Sequence, residues 1–250
     1  MKITALTPTC DRPVGIALLE AMVHRQTIRP DQWIVADGGA VPARCTMGQI
    51  HIHDPRPAGA LNFATNLLNG IAAASGELLV VIEDDDHLAP THIETMAAVA
   101  ARGYDLIGSE DIQRYYNVAT RSYLMLNNIG ASLCQTAMTR AMLPAFRKAI
   151  QTCMGRNSFG IDTTLWRSVP QSGWGFTRQR TVVGIKGLPG AKGLGIGHRP
   201  DARWKPDPDL AKLREWIGAD ADVYAEFRMP VPLAERPSNF GAAAPFSFQP

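Results

Sequence analysis

The run Leu78-Leu79-Val80-Val81-Ile82-Glu83-Asp84-Asp85-Asp86 sets four acidic side chains directly behind a β-rich apolar stretch. A continuous apolar run of this kind suits a central strand covered on both faces. Like charges repel, and at the end of a buried strand they are costly unless something positive sits there. Hard divalent cations take carboxylate oxygens. Ligands of parallel sheets collect outside the carboxyl ends of the strands. Asp84, Asp85 and Asp86 therefore fit a Mg2+ or Mn2+ site that would hold a diphosphate. The plainer alternative is a solvated acidic turn that caps a helix starting at Pro90.

A second chemical region lies far downstream. Arg178 to Lys205 carries seven Lys or Arg and one acid, Asp201, around the glycine-dense stretch Gly184 to Gly197. Glycines beside basic residues suit a loop that folds over a diphosphate and supplies charge to a leaving group. Lys186, Lys192 and Arg199 are the positive charges expected to do this. Gly193-Leu194-Gly195-Ile196-Gly197 is not a dinucleotide fingerprint, because no strand precedes it and Pro200 blocks the helix that should follow. His51 and His53 alternate with Ile on a strand, where solvated histidines are far commoner than ligands.

The elements that position these residues follow from periodicity. Lys2 to Leu6, Trp33 to Ala36, Ile50 to His53, Leu78 to Ile82 and Tyr104 to Gly108 read as strands. Pro13 to Gln26, Gly59 to Ser75 and Pro90 to Ala101 read as helices, with apolar residues at helical spacing. Pro13 suits a first helical turn, where its missing N–H costs nothing. Strands alternating with helices mean βαβ units and an α/β fold with a mostly parallel sheet. Tyr115, Tyr116, Tyr123 and Leu124 to Leu126 read as an antiparallel extension. Helices are expected near Thr139 to Ile150, Ile161 to Ser168 and Asp207 to Trp216. The chain divides at about residue 110. Residues 230–250, rich in Pro, Ala and Ser, read as a surface-wrapping or disordered tail.

The order strand-TPTxxRP, strand-VADGG, helix-N-x3-N-x3-GIAAASGE and strand-VVIEDDDHLAP resembles the GT-A fold of nucleotide-sugar glycosyltransferases, and within it glycosyltransferase family 2. The resemblance covers residues 3 to about 170. It implies a Rossmann-like central sheet flanked by helices, with a nucleotide-sugar-binding half at 1–110. Residues 111–229 would be the acceptor-side half of the same domain. Pro8, Thr9 and Arg12 would line the nucleotide pocket. Asp37 would accept from the base, with uracil N3–H the natural donor, and Asn66 would sit near the ribose or phosphates. Asp84 and Asp86 would be the DXD pair, Asp86 the direct metal ligand, and His198 a third ligand to Mn2+ or Mg2+. Family members carry an ED-x-x-LW-x-R-like motif, which Ile161-Asp162-Thr163-Thr164-Leu165-Trp166-Arg167 resembles, with Ile161 in place of the first acid. Asp162 would be the base of an inverting transfer; its plainer role is a helix N-cap. Glu83 stands where many members have the first Asp, and Asn62 and Thr65 stand near a position where many carry a basic residue.

The implied activity is an inverting, metal-dependent transfer from a nucleotide-diphosphate sugar, UDP-linked in the first instance, to an acceptor hydroxyl. The acceptor class stays open, and acidic acceptors, including modified phage DNA, are among the candidates. A non-catalytic nucleotide-sugar or nucleic-acid binding module is the competing reading, supported by the basic region. A haloacid-dehalogenase-like phosphatase is disfavoured, because its acidic pair follows the first strand and Leu88 stands where Thr or Val is required.

Composition narrows the class. With 250 residues, 46% hydrophobic, 19% charged and a net charge of +2, the chain can bury a sizeable core and is not disordered. No apolar run approaches the roughly 20 residues of a membrane span. Pro8 and Asp11 interrupt any signal-peptide apolar region, so a cytoplasmic location is expected. The four cysteines form no CxxC pair and read as buried small apolar residues.

Overall fold

The computed structural model describes residues 1–127, 130–156, 158 and 160–227; the proposed tail at 230–250 lies outside them. The first third runs β1 (Ile3–Thr9), α1 (Pro13–His24), β2 (Gln32–Asp37), β3 (Ile50–His53) and α2 (Ala60–Ala73). The middle runs β4 (Leu78–Val81), β5 (Asp86–Leu88), α3 (His92–Ala100), β6 (Leu106–Gly108), β7 (Ile112–Asn117), β8 (Ser122–Asn127) and β9 (Thr136–Thr139). There follow α4 (Leu143–Gly155), α5 (Ile161–Arg167), β10 (Trp174–Phe176), β11 (Val182–Lys186), β12 (Lys205–Pro206) and α6 (Ala211–Ile217).

The protein is a mixed α/β fold. Its main sheet has the order β10-β6-β9-β4-β1-β2-β3 and is parallel except for β9, which runs antiparallel to both β4 and β6. All seven residues of β1 and all four of β4 are buried, as expected of strands covered on both faces. Strand pleating sends alternate side chains to opposite faces. Ala5, Val35 and Val80 meet α1 and α3 through Ile16, Leu19, Ile93 and Met96. Leu6, Ile34 and Val81 meet α2, α4 and α5 through Leu67, Ile71, Phe146, Ile150 and Leu165. Trp166 lies fully buried in this second layer, its Nε1 donating to the Thr136 hydroxyl. Gly70 lets α2 come onto β1: a Cβ there would overlap the Leu6 side chain.

A second sheet, β12-β8-β7-β11-β5, stands beside the first. The β7–β8 hairpin is the expected antiparallel extension. Tyr116, Val183 and Ile185 on this sheet pack against Leu213 and Trp216 of α6.

Several boundaries differ from the sequence expectation. Glu83 to Asp86 do not end the chain's β structure: Asp86 opens β5, which pairs antiparallel with β11, so the acidic run is the crossing between the two sheets. Gly184 and Lys186 belong to β11 and not to a loop; helix periodicity does not see a short strand that lies beside glycines. The helix expected from Thr139 starts at Leu143, because Thr136–Thr139 is spent on β9. Asp207 lies outside α6, its carboxylate accepting from the Lys212 and Leu213 N–H groups at the helix start. Among the described residues no helix is long and apolar enough to cross a membrane.

Candidate active site

The carboxyl ends of β1 and β4 open into a cleft. Parallel packing of these two strands brings Thr9 and the loop after it against the acidic crossing 72 to 75 residues later. The Thr9 hydroxyl donates to Asp84 Oδ2 at 2.6 Å. Arg12, fixed immediately before Pro13 at the start of α1, donates from Nη1 to Asp84 Oδ1 at 2.7 Å and to Asp85 Oδ2 at 2.9 Å. Helix α1 reaches the acidic crossing because residue 15 is glycine: a Cβ there would overlap the Asp84 carbonyl oxygen.

The glycine-rich segment closes the other side. Asp11 has a left-handed backbone, φ 51°, a strained state for a non-glycine residue that is retained where the surroundings demand it. Its carbonyl accepts from Ala191 N at 3.0 Å, and its carboxylate accepts from Ala40 N at 2.8 Å. Arg12 Nε donates to the Ala191 carbonyl at 2.9 Å. Three loops thus meet at Asp11 and Arg12. His198 reaches in from the far end of the segment, Nε2 at 2.8 Å from Asp85 Oδ2. Gly193 permits that approach, since a Cβ there would overlap His198 Nε2.

Lys186, at the end of β11, is buried, with Nζ 2.6 Å from Asp85 Oδ1 and 3.0 Å from Asp86 Oδ1. Asp85 is therefore ringed by Arg12, Lys186 and His198. Burial alone would raise its carboxyl; Lys186 and Arg12 outweigh it and hold Asp85 well below the ordinary carboxylate range. Burial wins at the neighbours. Glu83 is pushed well up by burial and the nearby Asp86, Asp84 is raised against the pull of Arg12, and Asp86 is raised to about 6. Burial lowers His198, which leaves a neutral imidazole at neutral pH.

Asp162 stands in the first turn of α5 and lines the same cleft. Gly160, not Asp162, occupies the N-cap position. Burial raises the Asp162 carboxyl, opposed by the Thr163 N–H that it accepts at 2.7 Å.

Pro8, Thr9, Arg12, Asn66, Asp84, Asp85, Asp162, Lys186, Lys192 and His198 all line the cleft. Three expected residues do not. Asp86 is buried beneath it, with Oδ2 unpartnered. Arg199 is exposed on the outer surface, because the turn Ile196–His198 sends successive side chains in different directions. Asp37 is fully buried at the end of β2. Its carboxylate accepts from Gly39 N at 2.8 Å and Ala43 N at 2.7 Å, with His51 Nε2 at 3.2 Å. Nor do Asp84, Asp86 and His198 form one ligand set. Among the described residues, the three potential ligands whose donor atoms lie within 4.8 Å of one another are Glu83, Asp86 and Cys134.

Tyr115 and Cys134 also line the cleft. Neither carries a local motif; the hairpin and the turn before β9 deliver them, so only tertiary structure brings them in. The Asn62–Asn66 pair did carry a signal, an i,i+4 spacing on one helix face.

No protein-family model matches the chain, and no curated protein matches it. Among solved structures, S. aureus TarS 1–349 in complex with UDP is similar over 74% of this chain and 60% of that one, at 12% identity and a TM-score of 0.49. Another S. aureus TarS structure is similar over 58% of this chain and 30% of that one, at 13% identity and a TM-score of 0.41. A mycobacterial protein is similar over 58% and 55%, at 16% identity and a TM-score of 0.41. The chain thus spans between 30% and 60% of the length of these structures.

Proposed function

We propose that this chain is an inverting GT-A-type glycosyltransferase that moves a sugar from a UDP-linked donor to an acceptor hydroxyl. One observation carries the reading. A single cleft at the strand ends is lined by the Pro8–Arg12 loop, Asn66, the acids Asp84 and Asp85, the basic glycine-rich segment with His198, and the separate carboxylate of Asp162.

Asn66 supports a nucleoside ligand by its orientation. Asn62 Nδ2 donates to the carbonyls of Gly38 and Arg56, so its Oδ1 faces Asn66. Asn66 Nδ2 then donates to Asn62 Oδ1 and to the Thr9 carbonyl. This leaves Asn66 Oδ1 buried without a partner in the wall of the cleft. A bare acceptor calls for a ligand N–H or O–H, which a base or ribose supplies and a phosphate does not.

A divalent cation fits beside it. Adjacent donors on an octahedral ion with bonds of about 2.1 Å lie roughly 3 Å apart. Asp85 Oδ2 and His198 Nε2, 2.8 Å apart, match that edge, and an ionised carboxylate with a neutral imidazole is a donor pair that Mn2+ accepts; Arg12, which lies on the same Oδ2 at 2.9 Å, would have to turn from it to the diphosphate to make room. Glu83, Asp86 and Cys134 suit a hard cation less well, since burial keeps the thiol protonated. We therefore assign the metal to Asp85 and His198 in place of Asp84 and Asp86. When bound, such an ion supplies positive charge to the diphosphate.

The chain's own residues do the rest. Asp162 takes the acceptor hydroxyl proton as that oxygen bonds to the anomeric carbon. The bond from that carbon to the diphosphate breaks on the opposite side, and UDP departs with the electron pair. Arg12 and Lys192 offer charge-assisted hydrogen bonds to the diphosphate. The segment from Gly187 to His198, folded over the cleft, keeps water from the exposed carbon.

Calorimetry with UDP, GDP and dTDP, with and without Mn2+, tests the donor half, followed by hydrolysis of the corresponding nucleotide sugars. UDP should bind in a metal-dependent way, and Asp162→Asn should keep that binding while losing turnover. Absence of nucleotide binding ends the proposal. Binding without turnover of any sugar would return the chain to a binding module.

A further inference from the structure

We propose that Asn66 reads the base of the nucleotide, its Oδ1 accepting from the ring N3–H of a uracil-type base. This rests on the glycosyltransferase reading above and moves the base contact, which the family resemblance implies for Asp37, to a residue of α2. Asp37 is poorly placed for that role. It does not line the cleft, and its carboxylate is taken up by Gly39 N, Ala43 N and His51. The turn after β2 touches the cleft wall through Asn62: a Cβ on Gly38 would overlap the Asn62 amide, and the Gly38 carbonyl accepts from Asn62 Nδ2 at 2.9 Å.

Asn62 and Asn66 stand one turn apart on one face of α2, each only 2% exposed. Buried amides are costly unless their donors and acceptors are met. All four amide hydrogens of the pair are met within the protein. Asn62 Nδ2 gives one to Gly38 and one to the Arg56 carbonyl at 2.8 Å; Asn66 Nδ2 gives one to the Thr9 carbonyl and one to Asn62 Oδ1, both at 2.9 Å. These bonds fix both orientations. Turning the Asn66 amide over would set its Oδ1 against the Thr9 carbonyl and Asn62 Oδ1. Turning Asn62 would set its Oδ1 against the Gly38 and Arg56 carbonyls. Among the described residues that line the cleft, Asn66 Oδ1 is the only buried side-chain N or O atom without a hydrogen-bond partner.

A fixed acceptor discriminates only between ligand groups that cannot turn. A ribose hydroxyl rotates, donates and accepts, so either face of the Asn66 amide would satisfy it. A base edge is rigid. Uracil and thymine carry a hydrogen on N3, whereas cytosine, of the same size and shape, carries a lone pair on that atom. A locked carbonyl welcomes the first and repels the second, and a wrong match strands a buried polar group, which is how a site rejects a near-isostere strongly. The lock on Asn66 thus has a consequence for the base and none for the ribose.

Calorimetry on the full chain, with Mn2+ present throughout, compares UDP with CDP, 3-methyluridine 5′-diphosphate and 2′-deoxy-UDP. CDP and the N3-methyl analogue should bind about tenfold or more weakly than UDP, the scale of one buried acceptor left facing no donor. In Asn66→Ala both penalties should shrink to about twofold or less, while any penalty for 2′-deoxy-UDP stays as it was. Should that variant fail to fold, Asn62→Ala removes one of the two acceptors that hold Asn66 Nδ2 and should narrow the UDP-to-CDP ratio several-fold. Equal affinity of the unmodified protein for UDP, CDP and the N3-methyl analogue overturns the inference without any variant. So does a UDP-to-CDP ratio that is unchanged in the folded variant, which would return base reading to another residue, Asp37 first. A 2′-deoxy penalty that vanishes in Asn66→Ala while the N3 penalties persist overturns it as well, in favour of a ribose contact. Absence of binding by every nucleotide condemns the glycosyltransferase reading, whereas UDP binding without discrimination condemns only the role of Asn66.

Discussion

Two strand ends on the main sheet carry buried aspartates and use them in opposite ways. At the end of β2, Asp37 accepts from two backbone N–H groups of the turn that follows it, with His51 at 3.2 Å. At the crossing after β4, Asp84, Asp85 and Asp86 meet side-chain cations and a hydroxyl reached from β1, β11 and the glycine-rich segment. Backbone donors cannot leave, so Asp37 is tied to its turn. Arginine, lysine and histidine side chains can exchange one anion for another, so the crossing can release charge to a ligand. Position at a strand end does not separate the two cases; the kind of partner does.

The largest effects should fall on the crossing. Asp85→Ala leaves Arg12, Lys186 and His198 without their common partner, and removing one member of a buried charge network costs about 3–5 kcal/mol. Urea denaturation should show a loss of that size together with loss of metal-dependent UDP binding. A stability change under 1 kcal/mol, the scale of an exposed pair, would show the network to be a weak surface arrangement.

Asp162→Asn should lower kcat by about 10²–10⁴-fold, the usual contribution of a general base, with little change in stability. The sign of the pH dependence follows from burial. Asp162 must be ionised to accept a proton, and its carboxyl is raised above the ordinary 3.8. Activity should therefore fall as pH drops through that raised value and level off above it. The Asn variant should lack this acid limb; an identical limb in its residual activity assigns the titration elsewhere.

Asp37→Ala should cost about 1–3 kcal/mol of stability by stranding the Gly39 and Ala43 N–H groups. Calorimetry with UDP then sharpens the comparison. Unchanged UDP affinity in the folded variant makes Asp37 a turn-holding residue alone, and weaker binding would give it the base-reading role that the family resemblance implies.

The smallest effect is a cleavage pattern. Trypsin should cut at exposed Lys192 and spare Lys186, which is buried in β11 between β5 and β7. Donor with Mn2+ should slow the cut at Lys192. Rapid cleavage at Lys186 in the folded protein would mean that the β11 pairing, and with it the cation under Asp85, is not held.

Local pattern was enough for much of the frame. Continuous apolar runs determine β1, β2 and β4, and apolar residues at helical spacing determine α1, α2 and α3, to within a few residues. The acid run and its place at a strand end are equally a property of the chain itself. The short strands β3 and β6 were legible as well, from Ile50 to His53 and Tyr104 to Gly108, but three others were not. β5 begins inside the acidic run and β10 and β11 are interrupted by Gly175 and Gly184, and pairing with distant partners creates them.

What each charge meets was decided by tertiary structure alone. Lys186 reads as a loop lysine until β11 pairs with β5 and β7 and buries it under Asp85 and Asp86. Arg199 and His198 are neighbours in sequence, yet one faces outward and the other touches Asp85. Tyr115, Leu133 and Cys134 enter the cleft only because β9 runs antiparallel between β4 and β6, with the hairpin beside it. Sequence determines which groups are ionisable or apolar, since that is covalent. Their partners lie 72 to 113 residues away, and only the packed sheets set the distances and the burial on which Coulombic and desolvation energies depend.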